Sequence, residues 1–181
     1  SVLASTIEHL GRFEKGRFRH VLEKTRPHIV VAPKGPEAAA AAELRNGRSV
    51  IYIGGADAQP AYVFVALVHE LSHLERSERL RSKKITPTQD EGMALEDTAR
   101  AMEFYAGLSV VRIAYDQNQI NAQRWMAHRF LDGSITAAPH VLSPKEVDLL
   151  TAPLRAAVRL AEQRRYPGVV YLSSKNLGGG R

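Results

Sequence analysis

A chain of 181 residues with 44% hydrophobic and 24% charged side chains has the composition of an ordinary globular domain. The lack of cysteine excludes disulfides, thiol nucleophiles and thiolate metal sites, so any metal would have to be bound by His, Asp or Glu. The formal charge of +6 leaves nucleic acid open as a partner.

We expect a single soluble domain over residues 1–181, because a chain of this length can bury a core without disulfides. No apolar run approaches the length of a membrane span, and no signal peptide is recognisable. A protein that is cytoplasmic or secreted without disulfides is therefore predicted. The glycine-rich end, from about residue 174 to residue 181, indicates a flexible tail.

Helices and strands are predicted to alternate in the first third of the chain. Apolar residues recur at helical spacing over Val2–Leu22, but two glycines within this segment indicate an interruption. The β-branched runs His28–Ala32 and Ser49–Ile53 predict two strands, each followed by proline or glycine. Between them, the alanine-rich segment Glu37–Leu44 predicts a short helix.

The most regular helical pattern runs from Pro60 to about Arg81 and contains an HExxH motif at residues 69–73. Four residues correspond to about 400° of rotation, which places the imidazoles of His69 and His73 on one face, about one turn apart. Glu70 is rotated by about 100° from His69, so its carboxylate lies beside a shared ion rather than on it. This arrangement predicts two zinc ligands and a general base.

Further helices and a last strand are predicted after the motif. Thr86–Gln89 is predicted to be a loop, with Asp90 as the N-cap of the helix that follows. The predicted helices are Glu91 to about Ala114, with a possible break at Gly107, about Gln117 to Leu131, and one that starts at the Ser143–Glu146 capping box; the predicted strand is Val169–Leu172. We therefore expect an α+β fold, with a small mixed sheet packed against the HExxH helix and a mainly helical C-terminal half.

A catalytic zinc also needs a third protein ligand and an open position for water. With seventeen residues between them, His73 is followed by Glu91 in the sequence EGMA. Here residues 65–94 resemble the gluzincin zinc peptidases, in which a glutamate ligand follows HExxH by about twenty residues, often in a Glu-Gly-x-Ala setting. The resemblance implies a zincin-like fold and Glu91 as the third ligand. Glu96 is the alternative, because residues 96–99 (EDTA) fit the Glu-x-x-Ala pattern of other zincins, and Glu103 lies further on.

These residues predict a zinc metalloprotease that hydrolyses peptide bonds in a protein or peptide. The small size of the chain is compatible with a secreted bacterial effector or toxin domain. Basic residues clustered in Gly11–Arg26 and Arg76–Lys84 are more typical of solvated helix faces, but they leave an alternative, a DNA-associated zincin that acts on a repressor or another DNA-bound protein. A helical binding module without catalytic activity is the second alternative.

Three further predictions concern the surroundings of the motif. The oxyanion would be stabilised by one of six residues, namely Tyr105, Tyr115, His128, His140, Tyr166 and Tyr171. Asp97 is predicted either to orient a ligand imidazole or to be an ordinary carboxylate on the helix surface. The resemblance to zincins, in which the strand before the active-site helix often pairs with an extended substrate, implies that Val50–Ile53 is an edge strand of this kind.

Overall fold

The structure, a computed structural model, describes residues 2–32, 38–43, 49–54, 59–108, 115–137 and 169–171. The helices in this part of the chain are α1 (Val2–Arg12), α2 (Arg17–Thr25), α3 (Pro60–Arg81), α4 (Pro87–Ala106) and α5 (Gln117–Leu131). The strands are β1 (His28–Ala32), β2 (Ala38–Glu43), β3 (Ser49–Gly54) and β4 (Val169–Tyr171). The predicted combination of many helices with a small sheet is confirmed. The capping box at Ser143–Glu146 and the glycine-rich tail lie outside the described residues.

The four strands form one mixed sheet in the order β2-β3-β1-β4. Strand β1 pairs in parallel with β3 and with β4, whereas β2 pairs antiparallel with β3. The prediction that Val50–Ile53 forms an edge strand is therefore wrong, because the hydrogen-bonding groups on both sides of β3 are used by neighbouring strands. Among the described strands, the two at the edges are β2 and β4.

The alanine-rich segment is strand β2 and not the predicted helix. It pairs along its whole length with β3, from Ala38 opposite Gly54 to Glu43 opposite Ser49. An isolated helix of this length is unstable in water, because the cost of forming the first turn exceeds what a few further hydrogen bonds return. The preference of alanine for helices is therefore overridden by the hydrogen bonds that β3 offers.

The N-terminal helical segment is interrupted, as its glycines predicted. A 3-10 turn over Phe13–Gly16 separates α1 from α2, and Glu14, Lys15 and Gly16 have left-handed backbone with φ of 45°, 56° and 78°. The carboxylate of Glu14 accepts hydrogen bonds from Arg17 at 2.9 Å and from Arg100 at 2.6 Å. The turn is thereby tied both to α2 and to α4.

Helix α4 begins earlier than predicted, at Pro87. The hydroxyl of Thr86 accepts from the backbone N–H of Gln89 at 3.1 Å, and the Gln89 side chain accepts from the N–H of Thr86 at 2.9 Å. This reciprocal capping box, with proline at the first helical position, makes Thr86 the N-cap. The predictions of a loop at Thr86–Gln89 and of Asp90 as N-cap are therefore wrong. The helix ends at Ala106, next to Gly107, where the sequence indicated a break; residues 109–114 lie outside the described part of the chain.

The first half of α3 is buried in the core. Phe64, Leu67, Val68 and Leu71 are each 0% exposed, and burying such side chains contributes roughly 1.5–3 kcal/mol apiece. The helix contacts the sheet through β2 and β3, and it also packs against α1, α2 and α4. The core therefore fixes the position of the helix that carries the HExxH motif.

No helix in the described part of the chain is long and apolar enough to span a membrane.

Candidate metal centre

The two histidines of the motif face one another on α3. Their ring centroids are 4.8 Å apart with the ring planes 81° to each other, and Nε2 of His69 lies 3.1 Å from Nε2 of His73. The side chains are 19% and 24% exposed, so the nitrogens lie at the border between core and solvent. The convergence expected from a spacing of four residues is present.

Helix α4 brings a carboxylate to the same place. Oxygen atoms of Glu91 lie 3.3 Å from Nε2 of His73 and 3.8 Å from Nε2 of His69. The ligand atoms of these three residues all lie within 4.8 Å of one another, so the set could hold a metal ion. The Glu91 side chain is 29% exposed, which leaves one side of the group open to solvent.

Thr98 determines which nitrogen of His69 carries a hydrogen. Its hydroxyl donates its single proton to the carbonyl oxygen of Ala94, at 2.7 Å. The same oxygen lies 2.9 Å from Nδ1 of His69 and can therefore only accept there. His69 thus carries its hydrogen on Nδ1, and its Nε2 presents a lone pair towards His73 and Glu91.

Asp90 determines which nitrogen of His73 carries a hydrogen. Its Oδ2 lies 2.7 Å from Nδ1 of His73, and an ionised carboxylate can only accept, so the hydrogen lies on Nδ1. The other oxygen, Oδ1, accepts from Nε of Arg76 at 2.7 Å. Burial by itself raises the pKa of Asp90, but the contacts with His73 and Arg76 outweigh it and hold the pKa below its usual value. Asp90 therefore remains a carboxylate.

The two tautomers make the site suited to a cation. When both rings are neutral, their Nε2 atoms present lone pairs to each other at 3.1 Å, and the carboxylate of Glu91 adds negative charge beside them. Only a proton or a metal ion between these atoms removes the repulsion. Burial by itself lowers the pKa of His73, but the hydrogen bonds with Asp90 and Glu91 raise it to about 9. The donor set of two imidazole nitrogens and one carboxylate is one that could hold a metal ion.

Glu70 is buried next to these groups and is 4% exposed. Burial raises the pKa of its carboxyl group to about 7, with the charge of Glu91 as a further cause, while His73 opposes the rise. A carboxyl group with a pKa near neutrality exchanges a proton readily in both directions, as general acid–base chemistry requires.

The alternative carboxylates on α4 lie elsewhere. Glu96 is 3.7 Å from Nε2 of His128 on α5, and Glu103 accepts a hydrogen bond from Arg124 on α5 at 2.6 Å. Neither belongs to the group of residues that could hold a metal ion. Of the three glutamates considered from the sequence, the structure brings only Glu91 to the histidines.

Asp97 is buried and joins helices instead of orienting an imidazole. Its carboxylate, 2% exposed, accepts from Ser72 at 2.6 Å and from Arg17 at 3.1 and 3.3 Å. It also accepts from Arg100 and lies 3.5 Å from Arg76. Both predictions for Asp97, as an imidazole partner and as a surface carboxylate, are therefore wrong.

Two of the candidate oxyanion-stabilising residues, Tyr105 and His128, contact other side chains. Tyr105 is buried and packs edge-on against His9, while His128 lies near Glu96. Burial, together with the neighbouring Tyr62 and Tyr105, raises the pKa of Tyr115 to about 12. Tyr171 belongs to β4, and His140 and Tyr166 lie outside the described residues.

Three residues of this centre were not identified from the sequence in these roles, namely Asp90, Thr98 and Arg76. A signal existed for the first of them. The sequence Thr86-Pro87-Thr88-Gln89 has the form of a capping box with proline at the first helical position, which places Asp90 inside the helix and frees its side chain for other contacts. No comparable pattern marks Thr98 or Arg76, since their roles depend on how α4 packs on α3.

Comparison of the chain with protein-family models, with curated proteins and with solved structures gives no match.

Proposed function

We propose that this chain is a zinc-dependent metallopeptidase that hydrolyses peptide bonds in a protein or peptide substrate. The observation that carries the proposal is the convergence of His69, His73 and Glu91, whose ligand atoms lie within 4.8 Å of one another at a partly exposed position. Both imidazoles present the nitrogen that a metal needs, because the opposite nitrogen is hydrogen-bonded. The adjacent Glu70 supplies the general base.

The proposal includes a zincin-like fold. It is supported by a motif helix, α3, that packs against a mixed sheet, and by a following helix, α4, that brings the Glu91 carboxylate to the two histidines. A zinc ion held by His69, His73 and Glu91 would polarise the scissile carbonyl as a Lewis acid and lower the pKa of a bound water to about 7.

The protein's own groups then carry the proton. Glu70 accepts a proton from the attacking water, and the resulting carboxylic acid donates that proton to the leaving nitrogen as the C–N bond breaks. The burial that raises the pKa of Glu70 to about 7 lets one group serve both steps. Thr98 and Asp90 keep the two imidazoles aimed at the same point throughout, because each holds an Nδ1–H.

For the DNA-associated alternative, two cations of the basic segments are engaged within the protein, whereas others, such as Arg79, Lys83 and Lys84, are exposed. Arg17 pairs with Glu75 at 2.6 Å and with Asp97 at 3.1 Å, and Arg76 is buried against Asp90. Such arginines stabilise the contacts of α2, α3 and α4 and are not available to phosphates.

The proposal is tested by incubating the zinc-loaded protein with an unfolded protein substrate. We expect cleavage by the wild type and a loss of about 100-fold or more in rate for Glu70→Gln, which should still bind about one equivalent of zinc. Glu78→Gln on the same helix is the matched control, because Glu78 is exposed and pairs only with Arg81 in the ion pairs described. A zinc-loaded wild type without hydrolytic activity, or an equally active Glu70→Gln, would contradict the proposal.

A further inference from the structure

Arg76 is a buried cation one turn after the motif. It lies three residues beyond His73 on α3 and is 4% exposed, although arginine is rarely buried without partners. Its pairing with Asp90 and Asp97 satisfies the charge, but both partners are on α4. The residue therefore connects the motif helix to the helix that carries Glu91.

The guanidinium of Arg76 holds Asp90 at two points. Nε donates to Oδ1 of the Asp90 side chain at 2.7 Å, and Nη2 donates to the main-chain oxygen of Asp90 at 3.1 Å. The remaining carboxylate oxygen accepts from Nδ1 of His73 at 2.7 Å. Asp90 is thus hydrogen-bonded to two residues of α3, and both of its carboxylate oxygens are engaged.

We propose that Arg76 is the positioning residue of the metal centre, acting on His73 through Asp90 and on Glu91 through the backbone. This inference rests on the proposed zinc site. The planar guanidinium binds a side-chain and a main-chain oxygen at once, which fixes the direction of the carboxylate and the place of the first turn of α4. The Asp90 carboxylate orients the ring of His73. The hydrogen bond from Arg76 to the main-chain oxygen of Asp90 positions the backbone directly before Glu91.

Lysine cannot replace this residue, because an ammonium group on a flexible stem lacks the fixed fork of donors. Asp97, which lies 3.5 Å from Nη1, supports the guanidinium from its third side. The functional sequence of α3 therefore extends from His69 to Arg76, in the order His-Glu-x-x-His-x-x-Arg.

The test measures zinc affinity by competition with a chromophoric chelator, together with the absorption spectrum of the cobalt(II) form. For Arg76→Lys we expect an affinity about 10- to 100-fold weaker and an altered cobalt spectrum, with the circular dichroism of the wild type. Arg79→Lys, at an exposed position three residues further along α3, should bind both metals normally.

Asp90→Asn is the second variant, because it leaves the guanidinium in place and removes the carboxylate through which it acts. It should weaken zinc binding to a similar extent, and the double variant should be no weaker than the weaker single one, since both changes break the same connection. Additive losses, or wild-type affinity and spectrum in Arg76→Lys, would overturn the inference. If Arg76→Lys does not fold, normal affinity in Asp90→Asn overturns it instead.

A measurement on the wild type completes the test. Long-range proton–nitrogen spectra of the zinc-loaded protein should show a slowly exchanging hydrogen on Nδ1 of His73, and its absence would overturn the inference irrespective of any variant. A wild type that binds no zinc would remove the proposed function as well. A wild type that binds zinc together with an unaffected Arg76→Lys would remove this inference alone.

Discussion

Thr98 has a role that depends on the direction of a single hydroxyl proton. Because its hydroxyl donates to Ala94, it accepts from His69 and fixes the tautomer that presents Nε2 to the site. We expect Thr98→Val, which keeps the shape and removes the acceptor, to weaken zinc binding about tenfold or more. Thr98→Ser should restore most of the affinity. A competition titration measures both, and wild-type affinity in Thr98→Val would contradict the assignment.

Glu91 and Glu96 are distinguished by the same type of measurement. Glu91 lies 3.3 Å from Nε2 of His73, whereas Glu96 lies near His128 on α5. Glu91→Gln should therefore lower zinc affinity by at least about tenfold, because it removes a charged ligand, while Glu96→Gln should change it little. Metal content after dialysis gives the result, and a loss confined to Glu96→Gln would reverse the roles.

The packing of helix α5 against helix α4 depends on Gly92. A Cβ atom at this position would lie 2.7 Å from Cγ of Leu131 and 3.1 Å from its backbone nitrogen. We expect Gly92→Ala to lower the free energy of unfolding by about 1–3 kcal/mol, because the crowding exceeds the gain in helix propensity.

Gly107→Ala is the control for this prediction. Its Cβ would meet only backbone oxygens at ordinary distances of 3.4 and 3.5 Å, so a change within about 0.5 kcal/mol is expected. Urea denaturation monitored by circular dichroism measures both variants. An unchanged stability in Gly92→Ala would mean that Leu131 and its backbone move away without cost.

The elements also show which predictions from sequence succeed. The bounds of α3 and α5 were predicted closely, because apolar residues recur there at helical spacing. The alanine-rich segment was predicted incorrectly, since its conformation depends on pairing with β3, a contact that no local pattern encodes. The start of α4 was missed although its capping box stands in the sequence.

For the whole molecule, zinc should act as a stabilising ligand. The candidate ligands come from α3 and α4, so the ion would join two helices that separate on unfolding. At a free zinc concentration about 100 times the dissociation constant, the expected gain is about 2.7 kcal/mol in the free energy of unfolding. Thermal unfolding with zinc and after chelation measures this difference.

Two variants provide the controls for the zinc effect. Glu70→Gln should keep the full stabilisation, because Glu70 is proposed as base and not as ligand. Glu91→Gln should lose most of it. Equal melting temperatures of the wild type with and without zinc would contradict a metal site in the folded protein.

The sequence by itself determined the convergence of His69 and His73, because a spacing of four within a helix places two side chains on one face whatever the rest of the chain does. Which carboxylate lies beside the two imidazoles was decided only by the tertiary structure. Glu91 and Glu96 share α4 but point about 140° apart, so only the packing of α4 against α3 decides which of them reaches the imidazoles. The same packing brings Asp90 and Thr98 to the opposite nitrogens of the rings, contacts between residues far apart in sequence that local propensity cannot reveal.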